Sequence, residues 1–138
     1  MDRIELQELA RMRFREGKCL LDAGFYAGSY YLTGYAIECA LKAVIAGQRR
    51  RHEFPDKHFA IACNTHNLYA LIKLARLEPE LAKAIHASAA FSENWSAVLK
   101  WTEAARYAPV LPAHLARTMY VACANQSKGV LPWIQLYW

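Results

Sequence analysis

Glu38 and Lys42 stand four residues apart in a stretch, Tyr30 to Ile45, whose other positions are almost all apolar. As a helix that stretch is apolar on nearly every side, so protein or lipid must bury it. Glu followed by Lys at i+4 is the favourable order for an ion pair on one stripe. The pair either marks the helix's only solvent-facing line or forms a buried polar pair turned toward a ligand. A second group, His52, His58, Cys63 and His66, offers four potential zinc ligands within fifteen residues. Its spacing matches no standard finger or ribbon, and no metal is expected. Arg49, Arg50, Arg51 and Lys57 could form a phosphate-facing patch, although a solvated charge run needs no partner. His66 and Asn67 fall where a third helix begins, and exposed backbone N–H groups there could help hold a phosphate. Simple capping by Asn67 competes with that role. Tyr26, Tyr30, Tyr31, Tyr35, Trp95, Trp101 and Trp133 could stack bases, but their helical spacing assigns most of them to a core or an interface.

The elements that must position these residues read as helices throughout. From Ile4 to Asp22, Leu6, Leu9, Ala10, Phe14, Leu20 and Leu21 recur at helical spacing opposite a charged face. Gly17 lies on the apolar stripe, where the missing side chain lets another backbone come close. Gly24 and Gly28 punctuate the connection to the second helix, which runs to about Ala46 and stops at Gly47. Residues 48–64 hold three consecutive arginines, Pro55 and no sustained period, the pattern of a long basic loop. Asn64 or Thr65 can cap a third helix carrying Leu68, Leu71 and Ile72. Pro79 suits the first turn of a fourth helix, reaching about Ala90. Ser92 or Asn94 can cap a short segment with Trp95, Val98 and Leu99 on one side. Pro109 and Pro112 break the chain before a last long helix from about Ala113 to Lys128. The apolar tail, residues 130–138, must dock on its own core or on a second subunit. No alternating strand pattern, hairpin turn or Gly-rich phosphate loop occurs. The expected fold is all-α, an antiparallel bundle in one domain spanning residues 1–138.

A chain of 138 residues is large enough to bury a core without disulfides or metals. Its hydrophobic share is 55%, and with Gly counted in place of Tyr it still exceeds the usual ~45–50%. That excess leaves apolar surface for a partner, most simply a second copy. A transmembrane helix is excluded because Glu38 and Lys42 fall near the middle of the most apolar stretch, where each charge costs about 2.5–3.5 kcal/mol. The opening Met1-Asp2-Arg3-Ile4-Glu5 has no basic-then-apolar signal pattern, so the expected location is the cytoplasm. Cys19, Cys39, Cys63 and Cys123 are scattered without a C-x-x-C pair and read as free thiols in a reducing compartment. The net charge of +5 makes an acidic partner such as nucleic acid, nucleotide or acidic protein reasonable without choosing among them.

Four pieces in order resemble the HEPN domain, the helical module shared by higher eukaryotes and prokaryotes. They are Gly24-Phe25-Tyr26 leading into Gly34-Tyr35-Ala36-Ile37-Glu38-Cys39-Ala40-Leu41-Lys42-Ala43, then Thr65-His66-Asn67-Leu68-Tyr69-Ala70-Leu71, then Asn94-Trp95 with Trp101, and Arg106-Tyr107. The resemblance spans about residues 8 to 128. It implies an up-and-down bundle of about five helices, commonly a homodimer, associated with RNA or nucleotide binding. Some members of the family are RNA-cutting toxins encoded beside a nucleotidyltransferase antitoxin. Those members carry an Arg, four to six intervening residues and a His near the start of the last long helix.

This chain departs from that spacing. Arg106 and His114 lie in the right region, with seven residues and two prolines between them. Arg51 and His58 satisfy the spacing with six residues between, but in the basic loop between early helices. Metal-independent RNA cleavage needs a base for the 2′-hydroxyl, an acid for the leaving oxygen and a cation for the developing charge, roles that His and Arg can fill. Arg106 could instead pair with a buried acid such as Glu38 while Tyr107 packs in the core. His114 could simply be a surface residue at a helix start.

Three functions are therefore expected, in descending order. The first is a non-catalytic dimeric module that binds RNA or a nucleotide through Arg49, Arg50, Arg51, Lys57, His66, Asn67, Arg106 and Tyr107, beside a partner such as a nucleotidyltransferase. The second is a metal-independent ribonuclease toxin of a toxin–antitoxin pair, using Arg106 and His114. The third is a structural adaptor dimer. None of the three calls for a cofactor.

Overall fold

The computed structural model describes residues 1–49 and 56–138. Its first helix, α1 (Arg3–Asp22), begins with a reciprocal cap: the Asp2 carboxylate accepts the Glu5 N–H at 2.9 Å, and the Glu5 carboxylate accepts the Asp2 N–H at 2.8 Å. A short turn through Gly24, whose φ of 84° suits a residue without Cβ, leads into α2 (Tyr26–Gly47). The two helices pack along each other, with Gly17 at the closest approach. There the Ser29 hydroxyl donates to the Gly17 carbonyl at 2.7 Å, and a Cβ on Gly17 would come within 2.6 Å of the Thr33 hydroxyl oxygen.

The chain continues through α3 (Lys57–Ala62), α4 (Leu68–Leu74), α5 (Glu78–Ala87) and α6 (Ala89–Leu99). A 3₁₀ turn (Glu103–Tyr107) then leads to α7 (Ala113–Ala124) and α8 (Val130–Gln135). Among the described residues there is no strand. The all-α class expected from the sequence is therefore what the chain adopts, with more and shorter helices than the periodicity suggests.

The second helix forms the axis of the packing. Helices α1, α4, α7 and α8 and the 3₁₀ turn all lie against it. Ile37, Ala40, Leu41 and Val44 are almost wholly buried on it, joined by Leu71, Ile72, Val98, Met119 and Ile134 from the surrounding helices. Each such Leu, Ile or Val contributes about 1.5–3 kcal/mol by leaving water. An apolar helix is stable here because the surrounding elements bury most of its side chains.

Several boundaries differ from the expectation, each for a local reason. The region expected to be an unstructured basic loop contains α3, capped by the Asp56 carboxylate accepting the His58 N–H at 3.3 Å. Arg50, Arg51, His52 and Pro55 lie outside the described residues. Asn67, rather than Asn64 or Thr65, caps α4, its side-chain oxygen accepting the Ala70 N–H at 2.9 Å. His66 and Asn67 consequently precede the helix instead of forming its first turn. Ser88 caps α6, ahead of the expected Ser92 or Asn94, by accepting the Phe91 N–H at 3.1 Å. Asn125 ends α7 early by turning its side-chain oxygen onto the N–H groups of Ser127 and Lys128 at 3.1 and 2.9 Å.

The apolar tail docks on its own chain. Val130, Leu131, Trp133 and Ile134 are buried, and the Trp133 ring packs on Phe91 with centroids 5.4 Å apart. The Arg11 guanidinium lies 4.8 Å over the Trp138 ring. Of the two expected ways to cover the tail, docking on its own core accounts for Val130, Leu131, Trp133 and Ile134, while Leu136 stays 76% exposed.

Candidate functional site

Midway along α2, Glu38 is the one acidic side chain of that helix and is 1% exposed. The pair is divided between the two expected readings: the Glu38 side chain is buried at 1% exposure, whereas Lys42, one turn on, keeps 23% of its side chain exposed. Its Oε1 accepts a bond from Lys42 Nζ at 2.8 Å and another from His66 Nδ1 at 2.9 Å. A carboxylate oxygen only accepts, so the His66 proton facing it sits on Nδ1. The other ring nitrogen of His66, Nε2, lies 3.1 Å from Glu103 Oε2. Lys42, Glu38, His66 and Glu103 thus form a chain of charge-assisted contacts that ties α2 to the segment before α4 and to the 3₁₀ turn. Lys42 keeps 23% of its side chain exposed and His66 44%, so both side chains retain contact with water. The other carboxylate oxygen of Glu38, Oε2, is buried and has no hydrogen-bond partner among the described residues.

Glu38 and Lys42 line a cavity of about 490 Å³ between α1, α2 and α3. Tyr35 and Phe59 supply aromatic wall, Cys39 and Cys63 thiol wall, and Arg49 a cation. The Arg49 guanidinium lies 5.2 Å over the Phe59 ring. Burial pushes the Tyr35 phenol up to about 12 and the Cys39 thiol up to about 11. Both therefore stay neutral near pH 7, leaving Glu38, Lys42 and Arg49 as the charged side chains of the lining. The volume falls within the ~300–1,000 Å³ usual for small-molecule sites.

On the far side of His66 is a second hollow of about 330 Å³, lined by His66, Asn67, Tyr69, Trp101 and Glu103 among others. Trp101 is held there by Gly34, whose bare Cα admits the indole: a Cβ on Gly34 would overlap the ring. Tyr31 stacks on both Trp101 and Tyr35, with centroids 6.1 Å apart in each case. Tyr31 and Trp101 are thereby engaged in packing, as their helical spacing suggests, while Tyr35 also lines the larger cavity.

The residues expected to bind or catalyse divide into two groups. Glu38, Lys42, Arg49 and His66 come together around the larger cavity or its edge, and Asn67 joins the smaller hollow while also capping α4. Lys57 is exposed at the start of α3. Arg106 does not reach Glu38, whose partners are Lys42 and His66. Instead its guanidinium donates to the Tyr107 hydroxyl at 2.7 Å and lies 4.8 Å over the same ring. Tyr107 is 73% exposed and so is not part of the core. His114 is exposed at the start of α7, and among the described residues no hydrogen bond or ion pair joins it to Arg106.

His58 is also exposed, and among the described residues no three His, Cys, Asp or Glu side chains are grouped to hold a metal ion. No helix among them is long and apolar enough to cross a membrane. Glu103 and Phe59 were not legible as site residues. Glu103 lies in a turn without periodicity, and Phe59 lies in a helix too short to show any. Comparison with protein-family models, curated proteins and solved structures finds no match to this chain.

Proposed function

We propose that the chain is a HEPN-like domain, an up-and-down helical bundle that binds RNA or a nucleotide without cleaving it. The observation that carries this reading is the larger cavity. Aromatic wall from Tyr35 and Phe59, two cations, Lys42 and Arg49, and one buried acid, Glu38, together suit a ligand that is part ring and part anion. Further support comes from how the sequence pieces that carry the resemblance meet. Gly34 receives Trp101, Glu38 binds His66, and Asn94 bonds to the Lys128 carbonyl at 2.9 Å across the α6–α7 side.

A homodimer belongs to the same reading. Phe25, Tyr107, Val110, Val121 and Leu136, each more than half exposed, are apolar surface that such pairing would cover. So does a partner such as a nucleotidyltransferase, which the family resemblance implies. The ribonuclease alternative needs Arg106 and His114 at a single phosphate, and their surroundings give no sign of that.

The test is labelled RNA and labelled mononucleotide incubated with the protein in EDTA across a salt series, read for both retention and products. Retention that weakens with rising salt and leaves the RNA intact is the expected result. Cleavage that is lost in Arg106→Ala or His114→Ala would replace this reading with the nuclease. No retention of either ligand at low salt would leave only the adaptor.

A further inference from the structure

The walls of the larger cavity are unequal. Leu6 and Leu9 come from the long helix α1, and Tyr35, Cys39 and Ile45 from the long helix α2. Phe59, Ala60 and the Cys63 that follows come from α3, which has six residues and no buried side chain. A helix that short is not stable alone, since isolated helices below ~12–15 residues are marginal in water. Its neighbours add little. Among the described residues its one side-chain hydrogen bond is the Asp56 cap, and its docking on the core rests on the partly buried Phe59 and on Cys63. Few buried contacts and hydrogen bonds made only locally mark the segments that open first.

Arg49, just past the end of α2, reaches across to this helix, its guanidinium 5.2 Å over the Phe59 ring. Stacking engages the face of a guanidinium and leaves its in-plane N–H fork to grip an anion. Arg49 therefore belongs both to the charge of the cavity and to the attachment of α3. An anion that fixes Arg49 also fixes the surface on which Phe59 rests. Building on the nucleotide-binding reading above, we propose that α3 is a lid over the cavity, latched by Arg49 on Phe59. A nucleoside monophosphate closes it, with its phosphate at Arg49 and its ring against the apolar wall. At about 490 Å³ the space suits one ring and one phosphate, whereas a nucleic-acid strand would hold the lid open.

The test is hydrogen exchange of the full chain followed by NMR, alone and with AMP, UMP, adenosine or a uridine hexanucleotide, with occupancy measured by calorimetry. The reporters are the amides of Ala60 and Cys63, which donate to the Asp56 and Phe59 carbonyls at 2.9 and 3.0 Å. The control is α5, which lines no part of the cavity. Without ligand the α3 amides should exchange about a hundredfold or more faster than those of Ile37, Leu41 and Val44 in α2. Saturating AMP or UMP should slow them about tenfold or more while α5 stays as it was, and adenosine, which lacks the anion, should not. Arg49 is exposed, so Arg49→Ala leaves the core intact. At equal AMP occupancy that variant should show less than about threefold slowing in α3.

Amides of α3 that exchange as slowly as those of α2 in the free protein, or that ignore a bound nucleotide, would overturn the lid while leaving the nucleotide-binding reading in place. Full slowing by adenosine, or full slowing in Arg49→Ala, would overturn the latch at Arg49 with the same consequence. Binding of the hexanucleotide without binding of either mononucleotide would overturn the proposal and keep RNA as the ligand. Binding of neither would remove both readings.

Discussion

The centre of α2 and the segment from Arg106 to His114 both bring cationic side chains near polar partners, but the two are built differently. At Glu38 a lysine of the same helix and a histidine from the segment before α4 meet a carboxylate that is 1% exposed, and Glu103 of the 3₁₀ turn reaches the other side of that histidine. At Arg106 the partner is the next residue in the chain, and both side chains are exposed. A contact between neighbours can form in almost any fold and specifies little. A buried acid that gathers a lysine and a histidine from different parts of the chain requires the tertiary structure and is disturbed when that structure shifts. The comparison predicts that changes near Glu38 are felt by the whole molecule and changes near Arg106 only locally.

The largest effect is expected at Gly34, one turn before Glu38. A side chain there overlaps the Trp101 indole, which is 3% exposed. Gly34→Val should lower the unfolding free energy by about 3 kcal/mol or more in urea titration. A loss below about 1 kcal/mol would show that Trp101 moves freely and that the α2 centre is less constrained than its packing indicates.

Glu38→Ala comes next. It removes two charge-assisted hydrogen bonds, but it leaves Lys42 and His66 partly exposed and able to take up water. The cost should therefore be about 2 kcal/mol, below the ~3–5 kcal/mol of a fully buried broken pair. Urea titration checks it, and a change under about 0.5 kcal/mol would mean that the contacts of Glu38 contribute no net stability.

How much of this was legible in the sequence follows from the same contrast. Glu38 stood out because it is the only acid in an apolar helix, and Gly17 because it interrupts an apolar stripe. The helical class, the ends of α1 and α2 and the apolar tail were all written in periodicity and in Gly and Pro positions. The pairing of Glu38 with His66 across 28 positions was not, since spacing along a chain carries no record of which loops fold back. Glu103 was invisible for the same reason. Arg106 and His114 attracted attention through family resemblance alone, and their surroundings do not join them.

Thiol reactivity separates the interior of α2 from the surface of α1 without a mutation. Alkylation requires the thiolate. Cys39, next to Glu38, is buried, and its thiol is pushed up to about 11 by that burial, whereas Cys19 is exposed on α1. Near pH 8, mass spectrometry should find Cys19 alkylated first and Cys39 only as the protein unfolds. Because the folded value lies above that of the unfolded thiol, stability from the neutral Cys39 is complete below the ordinary thiol range and is lost as pH rises toward about 11. Rapid native labelling of Cys39 would show that the cavity wall opens readily.

Arg106→Ala should have the smallest effect. Its guanidinium is exposed, its hydrogen bond goes to the adjacent Tyr107, and its cation–π contact is with the same exposed ring. Losing such a contact returns both groups to water, where they are solvated about as well, so the urea midpoint should stay at that of the wild type. RNA or nucleotide retention should likewise fall far less than in Arg49→Ala, whose side chain lines the larger cavity. A larger loss of binding at Arg106 than at Arg49 would reverse the comparison and move the binding surface to the 3₁₀ turn and the start of α7.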